Sequence, residues 1–174
     1  MAQVFKYRPL EFLSDVRQIE CRVPRVNEFI QGDLENALKE NNCDTYGVYD
    51  GNVLISVFAL RADDKFVNSE GKHTAVEISF LVVDKRYELQ GLGTAIIKEI
   101  SNLVVTEYQR EKITVEALVI THPKREKYEA VTFYKKCKFL QAEMYNSAKD
   151  TLGMYRDAIG YDKLLETPIR IERE

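Results

Sequence analysis

No stretch of this 174-residue sequence stays apolar over the roughly 20 positions that a membrane-crossing helix needs. The N-terminus, Met1-Ala2-Gln3-Val4-Phe5-Lys6-Tyr7-Arg8-Pro9, lacks the apolar core of a secretion signal. Cysteine is scarce. Cys21, Cys43 and Cys137 are odd in number and far apart, with no pair at zinc-binding spacing. They exclude a disulfide framework and predict reduced thiols in a cytoplasmic protein. Histidine is scarcer still: His73 lies in a polar stretch, and His122 stands beside Pro123 as a loop or capping residue. No Ser or Cys occupies a nucleophile-elbow motif, so neither histidine acquires a triad role, and no metal constellation is expected. An excess of positive charge is also missing. Lys and Arg total 25 against 28 Asp and Glu, a formal net charge of −3. That balance argues against a broad electrostatic grip on nucleic acid and only slightly favours cationic amines. Without a low-complexity linker or internal repeat, residues 1–174 read as one domain, with a charged tail over 164–174 expected to fray.

What is present is a mixed sequence of helix and strand patterns. From 24 to about 41, Val26, Phe29, Ile30, Leu34 and Leu38 fall on one helical stripe, which Asn41, Asn42 and Asp44 end. Strands over 45–49 and 53–60 flank Asp50-Gly51-Asn52, a strong hairpin signal. Residues 63–74 are a polar connection. Over 75–83, Val76, Ile78, Phe80 and Val82 share one strand face, and Glu77, Ser79 and Leu81 share the other. A polar turn, 84–90, leads to Gly91-Leu92-Gly93 and a helix carrying Ile96, Ile97, Ile100, Leu103 and Val104 at helical spacing. A strand over 113–120, a helix over about 126–136 and a closing hairpin (139–145 with 152–155) complete the order. These elements imply an α/β fold of the α+β type, with parallel and antiparallel pairings.

The Gly91-Leu92-Gly93 turn between strand and helix suits a diphosphate. Glycine lets backbone approach an anion, and the first N–H groups of the helix from Thr94 lack internal partners. A tight strand-to-helix turn is the plain alternative. A dinucleotide-binding fingerprint would need glycine where Ile96 stands, and a P-loop would need Lys after Gly93, where Thr94 and Ala95 stand.

The stretch Glu88-Leu89-Gln90-Gly91-Leu92-Gly93 resembles the acetyl-CoA motif of the GNAT superfamily of N-acetyltransferases, an Arg/Gln-x-x-Gly-x-Gly/Ala loop between central strand and helix. Here Glu88 occupies the usual Arg/Gln position. Ala130-Val131-Thr132-Phe133-Tyr134-Lys135-Lys136-Cys137-Lys138-Phe139 is similar to that family's Ala-x-x-Phe-Tyr-x-x-x-Gly-Phe, with Lys138 in place of glycine. Element order extends the likeness over 45–155. The resemblance implies a mixed central sheet of six to seven strands with a splayed central strand. It also implies acetyl-CoA as cosubstrate, no metal, and a primary amine, small molecule or peptide, as acceptor.

Residue by residue, it places the diphosphate contacts at Glu88, Leu89, Gln90, Gly91, Leu92, Gly93 and Thr94. Leu81 and Val83 correspond to the main-chain amides that bind the thioester carbonyl and pantetheine arm. Lys127 stands where an Asn often contacts the cosubstrate. Tyr134 corresponds to the acid that protonates the leaving thiolate, although Phe133-Tyr134 also reads as a buried helix face. Glu77, fourteen positions before Gly91, matches the base of the histone-acetylating branch. A glutamate on a solvated or ion-paired strand face is the other reading. The segments around Phe29-Ile30, 46–49 and 54–60 are similar to a toxin-like branch that acetylates aminoacyl-tRNA. Lys124, Arg125, Lys127, Lys135, Lys136 and Lys138 cluster around one helix, a pattern read first as a solvated face. A tRNA acceptor is therefore not favoured. A homodimer is common in the superfamily. An acyl-CoA-binding sensor without turnover is the non-enzymatic alternative, kept open by Glu88, Lys127 and Lys138.

Overall fold

The computed structural model describes residues 2–68, 70–119, 129–142 and 149–174. The chain divides into two compact units. The first comprises Met1–Arg61, Ser79–Glu99 and Glu166–Glu174, and the second Ala62–Ile78 and Ile100–Leu165.

In the first unit, strand β1 (Gln3–Pro9) buries Phe5 and Tyr7 on one face while Val4 and Lys6 point out. After a 3-10 turn over Leu13–Gln18 come helices α1 (Pro24–Gln31) and α2 (Leu34–Glu40). The single helix expected from the apolar stripe is thus two. Gly32 caps α1, donating its N–H to the Glu28 carbonyl at 3.0 Å, and Asp33 separates it from α2. Glycine's low helix propensity makes this the weak point of the stripe. Ile30, Leu34 and Leu38 are buried as the stripe requires; Phe29 is partly exposed and packs its ring 6.3 Å from Phe80.

Strands β2 (Asp44–Asp50) and β3 (Val53–Asn68) meet at a two-residue turn with Gly51 at φ +60°, the conformation that puts glycine first in a type II′ hairpin. Within this unit the strand order runs from residues 79–83 of β4 (Gly71–Val83) through β3, β2 and β1 to β8 (Ile169–Arg173). A core of Leu10, Val16, Ile19, Ile30, Leu34, Leu38, Leu54, Val57 and Val82 lies between these strands and the first helices.

The charged tail is therefore not frayed. Ile169 and Ile171 are buried, and β8 pairs in parallel with β1 from Gln3–Ile169 to Tyr7–Arg173. Arg170, Glu172 and Glu174 lie on the other face, where Glu172 pairs with Lys6 at 2.6 Å and Glu174 with Arg8.

In the second unit, the distal parts of β3 and β4 replace the expected polar connection over 63–74 with paired strands. Phe66 explains the difference, because its ring packs 5.2 Å from Tyr155 and 6.2 Å from His73. His73 consequently belongs to β4, not to a loop, and contacts Asn68 and Glu111. Strand β5 (Lys112–Leu118) pairs in parallel with β4 from Ala75–Lys112 to Ile78–Val115, and antiparallel with β7 (Thr151–Asp157); β6 (Leu140–Gln141) edges β7.

Helix α3 (Leu92–Leu103) begins in the first unit and ends in the second, closing on a π turn over Val104–Tyr108. Its Ile96, Ile97, Ile100, Leu103 and Val104 are all buried. Helix α4 covers Glu129–Lys136.

Among the described residues eight strands therefore stand where six to seven were expected, and the sheet is mixed, with helices on its flanks. Ile169→Ala should destabilise the protein by about 2–4 kcal/mol in chemical denaturation, the cost of an emptied core position. A change below about 0.5 kcal/mol would mean the tail is surface, not sheet.

Candidate active site

The first unit carries the residues of the glycine loop. At the end of β4 the Asp84 amide donates to the Ile55 carbonyl at 2.9 Å, and the Ser56 hydroxyl donates to the Val82 carbonyl at 2.6 Å. Main-chain groups alternate sides along a strand. Val82 and Asp84 therefore face β3, while Leu81 and Val83 direct their amides to the opposite flank.

Asp84 anchors the turn between β4 and the glycine loop. It is fully buried and accepts the Arg86 amide (3.0 Å), the Arg86 Nε (2.8 Å) and the Glu20 amide (3.1 Å). Burial pushes its carboxyl up. The hydrogen bonds from Arg86 and Glu20, with the charge of Arg86, outweigh that and hold it below the ordinary carboxylate value. A depressed value means the anchor is complete at neutral pH and is lost only as acid titrates the folded-state group. Tyr87 comes next, its hydroxyl donating to Asp50 at 2.8 Å and its ring edge-on to Phe5 at 5.9 Å.

Glu88 would repel a diphosphate if it pointed into the loop. It is turned instead toward Arg22, with Nε to carboxylate at 3.4 Å, and its side chain is only 11% exposed. Leu89 adopts φ +62° with 88% of its surface exposed. A left-handed leucine costs about 1 kcal/mol or more, and such strain persists where the surroundings enforce it, often at functional loops.

Gly91 stands at φ +92°. Its carbonyl accepts the Ala95 amide at 3.1 Å, the first bond of α3, and the Thr167 hydroxyl at 2.8 Å. A Cβ at Gly91 would lie 2.5 Å from Thr167 Oγ1 and 3.1 Å from Pro168 Cδ. Because Ala95 makes the first helical bond, the N–H groups of Leu92, Gly93 and Thr94 precede the internal ladder, one turn's worth of donors at the positive end of a twelve-residue helix. These donors, with a carboxylate turned away from them, fit the diphosphate of coenzyme A.

The second unit carries Tyr134. Helix α4 ends in a Schellman cap: the Phe139 amide donates to the Tyr134 carbonyl at 2.9 Å and the Lys138 amide to the Lys135 carbonyl at 3.0 Å. The apolar contact typical of that cap is Phe139 against Tyr134, ring centroids 5.2 Å apart. Lys138 stands at φ +73°, the left-handed conformation that the glycine of the family motif would adopt without strain. The Tyr-x-x-x-Gly-Phe spacing is therefore a capping pattern that also fixes the tyrosine.

Buried Arg156 reinforces the cap. It donates from Nη1 to the Cys137 carbonyl at 2.8 Å and from Nη2 to the Ser101 hydroxyl, and it stacks near Phe139 and Tyr161. Tyr134 is 7% exposed, and burial pushes its phenol above the ordinary value near 10. It remains a proton donor throughout the neutral range. Among the described residues no hydrogen bond engages its hydroxyl.

Glu77 is half-buried on β4, opposite Thr114 of β5, whose hydroxyl is buried without a hydrogen-bond partner among the described residues. Lys127 and His122 lie outside the described residues, as do Lys124 and Arg125. No group of three or more His, Cys, Asp or Glu residues suited to a metal occurs among the described residues. No helix among them is long and apolar enough to cross a membrane. No local pattern in the chain marks Arg22, Asp84 or Thr167; all three act on the loop from outside its motif or through main-chain partners.

Residues 11–139 match the acetyltransferase (GNAT) family, and the chain belongs to that family. No curated protein matches it. Among solved structures it is similar to a mutant of the toxin AtaT bound to the C-terminus of the antitoxin AtaR and acetyl-CoA. That likeness has 17% identity, a TM-score of 0.63 and coverage of 93% of this chain and 96% of that one. A mutant of KacT gives 16% identity and a TM-score of 0.65, covering 93% and 99%. AtaT complexed with acetyl-methionyl-tRNAfMet gives 14% and 0.63, covering 93% and 99%. At these identities the likeness shows the fold.

Lys138→Gly should stabilise the protein by about 1 kcal/mol, because it removes a left-handed Cβ from the cap below Tyr134. Urea denaturation measures it, and an unchanged or lower midpoint would contradict the strained-cap reading.

Proposed function

We propose that this protein, as one domain over 1–174, transfers the acetyl group of acetyl-CoA directly to a primary amine in a ternary complex. The observation that carries the reading is the run of N-terminal α3 amides behind Gly91, with Glu88 withdrawn toward Arg22.

Leu92, Gly93 and Thr94 amides take the diphosphate, with only the main chain of Glu88, Leu89, Gln90 and Gly91 completing the loop around it, the Glu88 carboxylate staying on Arg22. Leu81 and Val83 amides receive the thioester carbonyl and the pantetheine arm, polarising the carbonyl and stabilising the oxyanion as the amine adds. Glu77 first takes a proton from the bound ammonium, directly or through water, and so frees the lone pair with which the neutral amine attacks. The carbon–sulfur bond then breaks, and Tyr134, kept protonated by its burial, donates to the departing thiolate. Lys127 adds a contact to the cosubstrate. The reaction belongs in the cytoplasm, where its cosubstrate is made available and free thiols stay reduced.

A second reading concerns the acceptor. AtaT is described in complex with acetyl-methionyl-tRNAfMet, which favours the α-amino group of an aminoacyl-tRNA here as well. The net charge of −3 weighs against it, so a free or peptide amine remains the first reading.

Thiol release from acetyl-CoA, measured with polyamines, lysine peptides, aminoglycosides and charged tRNA in parallel, tests the proposal. Release with at least one amine is expected, and binding without release for all of them would leave a sensor. Tyr134→Phe should lower turnover on the order of a hundred-fold with acetyl-CoA affinity retained. Unchanged turnover would remove its role as acid. Glu77→Gln should depress the rate most at pH values where the amine is largely protonated, and a small effect independent of pH would exclude it as the base.

A further inference from the structure

Residues 166–174 lie beyond the 11–139 family match, yet they belong to the same compact unit as the glycine loop. Strand β8 is fixed to β1 by its ladder, and the Gln3 amide donates to the Pro168 carbonyl at 3.2 Å. Thr167 lies just before that strand. Its hydroxyl donates to the Gly91 carbonyl at 2.8 Å and accepts the Ile169 amide at 3.2 Å, so both its hydrogen-bonding capacities are used and its direction is set.

A trans peptide is planar, with its C=O and N–H antiparallel. Whatever holds the Gly91 carbonyl therefore aims the Leu92 N–H the opposite way. The Ala95 amide takes one lone pair of that carbonyl and Thr167 the other. A carbonyl left free to rotate would present negative charge where the cosubstrate brings phosphate. Gly91 has no room for a side chain, because Thr167 Oγ1 would lie 2.5 Å from its Cβ. In this chain the absent Cβ thus admits Thr167 as much as it admits a ligand.

We propose that Thr167 is a positioning residue for the cosubstrate loop, locking the Gly91–Leu92 peptide so that its N–H addresses the diphosphate of acetyl-CoA. This rests on the acetyl-CoA reading of the loop. Strand β8, outside the residues that match the family, thereby acts as a strut for the loop.

The test uses the full chain and calorimetric titration with CoA, and with S-acetyl-pantetheine, which has the thioester but no diphosphate. Thr167→Val removes the hydroxyl and keeps the shape. It should weaken CoA binding about five-fold to ten-fold, the size of one lost hydrogen bond, while pantetheine binding stays at the wild-type value. In turnover, KM for acetyl-CoA should rise by the same factor, with kcat at saturation and KM for the amine unchanged. Thr167→Ser, which restores the donor, should bind CoA as the wild type does. CoA binding by Thr167→Val equal to wild type, an equal loss for both ligands, or no rescue by serine would each overturn the proposal. Should the wild type itself fail to bind CoA, the cosubstrate reading falls as well, an outcome distinct from a Thr167-specific failure.

Discussion

The orientation of one peptide group, Gly91–Leu92, is the constraint on which the rest of the account depends. An anion at the start of α3 meets attraction only if amides face it and carbonyls do not. Around that peptide the chain arranges a left-handed glycine, the first helical bond from Ala95 and a hydroxyl from Thr167. Farther back, buried Asp84 ties the loop's entry to the Arg86 and Glu20 amides, and Arg22 draws Glu88 aside. The substitution that looked least compatible with a diphosphate is thereby accommodated by a residue from a distant part of the chain.

Tyr134 is held by a different device, local to its own helix. Its carbonyl and ring both take part in the cap that ends α4, and Arg156 secures the carbonyl of the capping residue Cys137. A motif usually read as catalytic is, in physical terms, first a helix terminus. The chemistry proposed for the tyrosine uses only its hydroxyl, the one polar group that the cap leaves out. Lys138 keeps the cap's geometry at φ +73° despite its Cβ, so the family's glycine is a preference of energy and not a requirement of shape.

Much of this was legible in the sequence. The Asp50-Gly51 turn stands where expected, Val76, Ile78 and Val82 are buried on one face of β4, and the apolar stripe of α3 is buried throughout. Strand β8 and the paired segments over 63–74 were not legible. In β8, Ile169 and Ile171 alternate with Arg170 and Glu172 over only five residues, and the pattern becomes persuasive only when β1 supplies the partner. The hairpin over 63–74 was masked by its polar residues, because the contact that orders it, Phe66 with Tyr155, joins positions far apart. For the candidate site, the motif glycines and the tyrosine could be found from spacing. Arg22 and Thr167 could not, since pairings across such separations leave no periodic trace.

Whether the first amides of α3 meet the diphosphate can be read from amide resonances followed by NMR as CoA is titrated in. The signals of Leu92, Gly93 and Thr94 should shift strongly and saturably with CoA, and S-acetyl-pantetheine should leave them nearly still. Signals that stay in place while CoA binds, or that respond equally to both ligands, would contradict that contact.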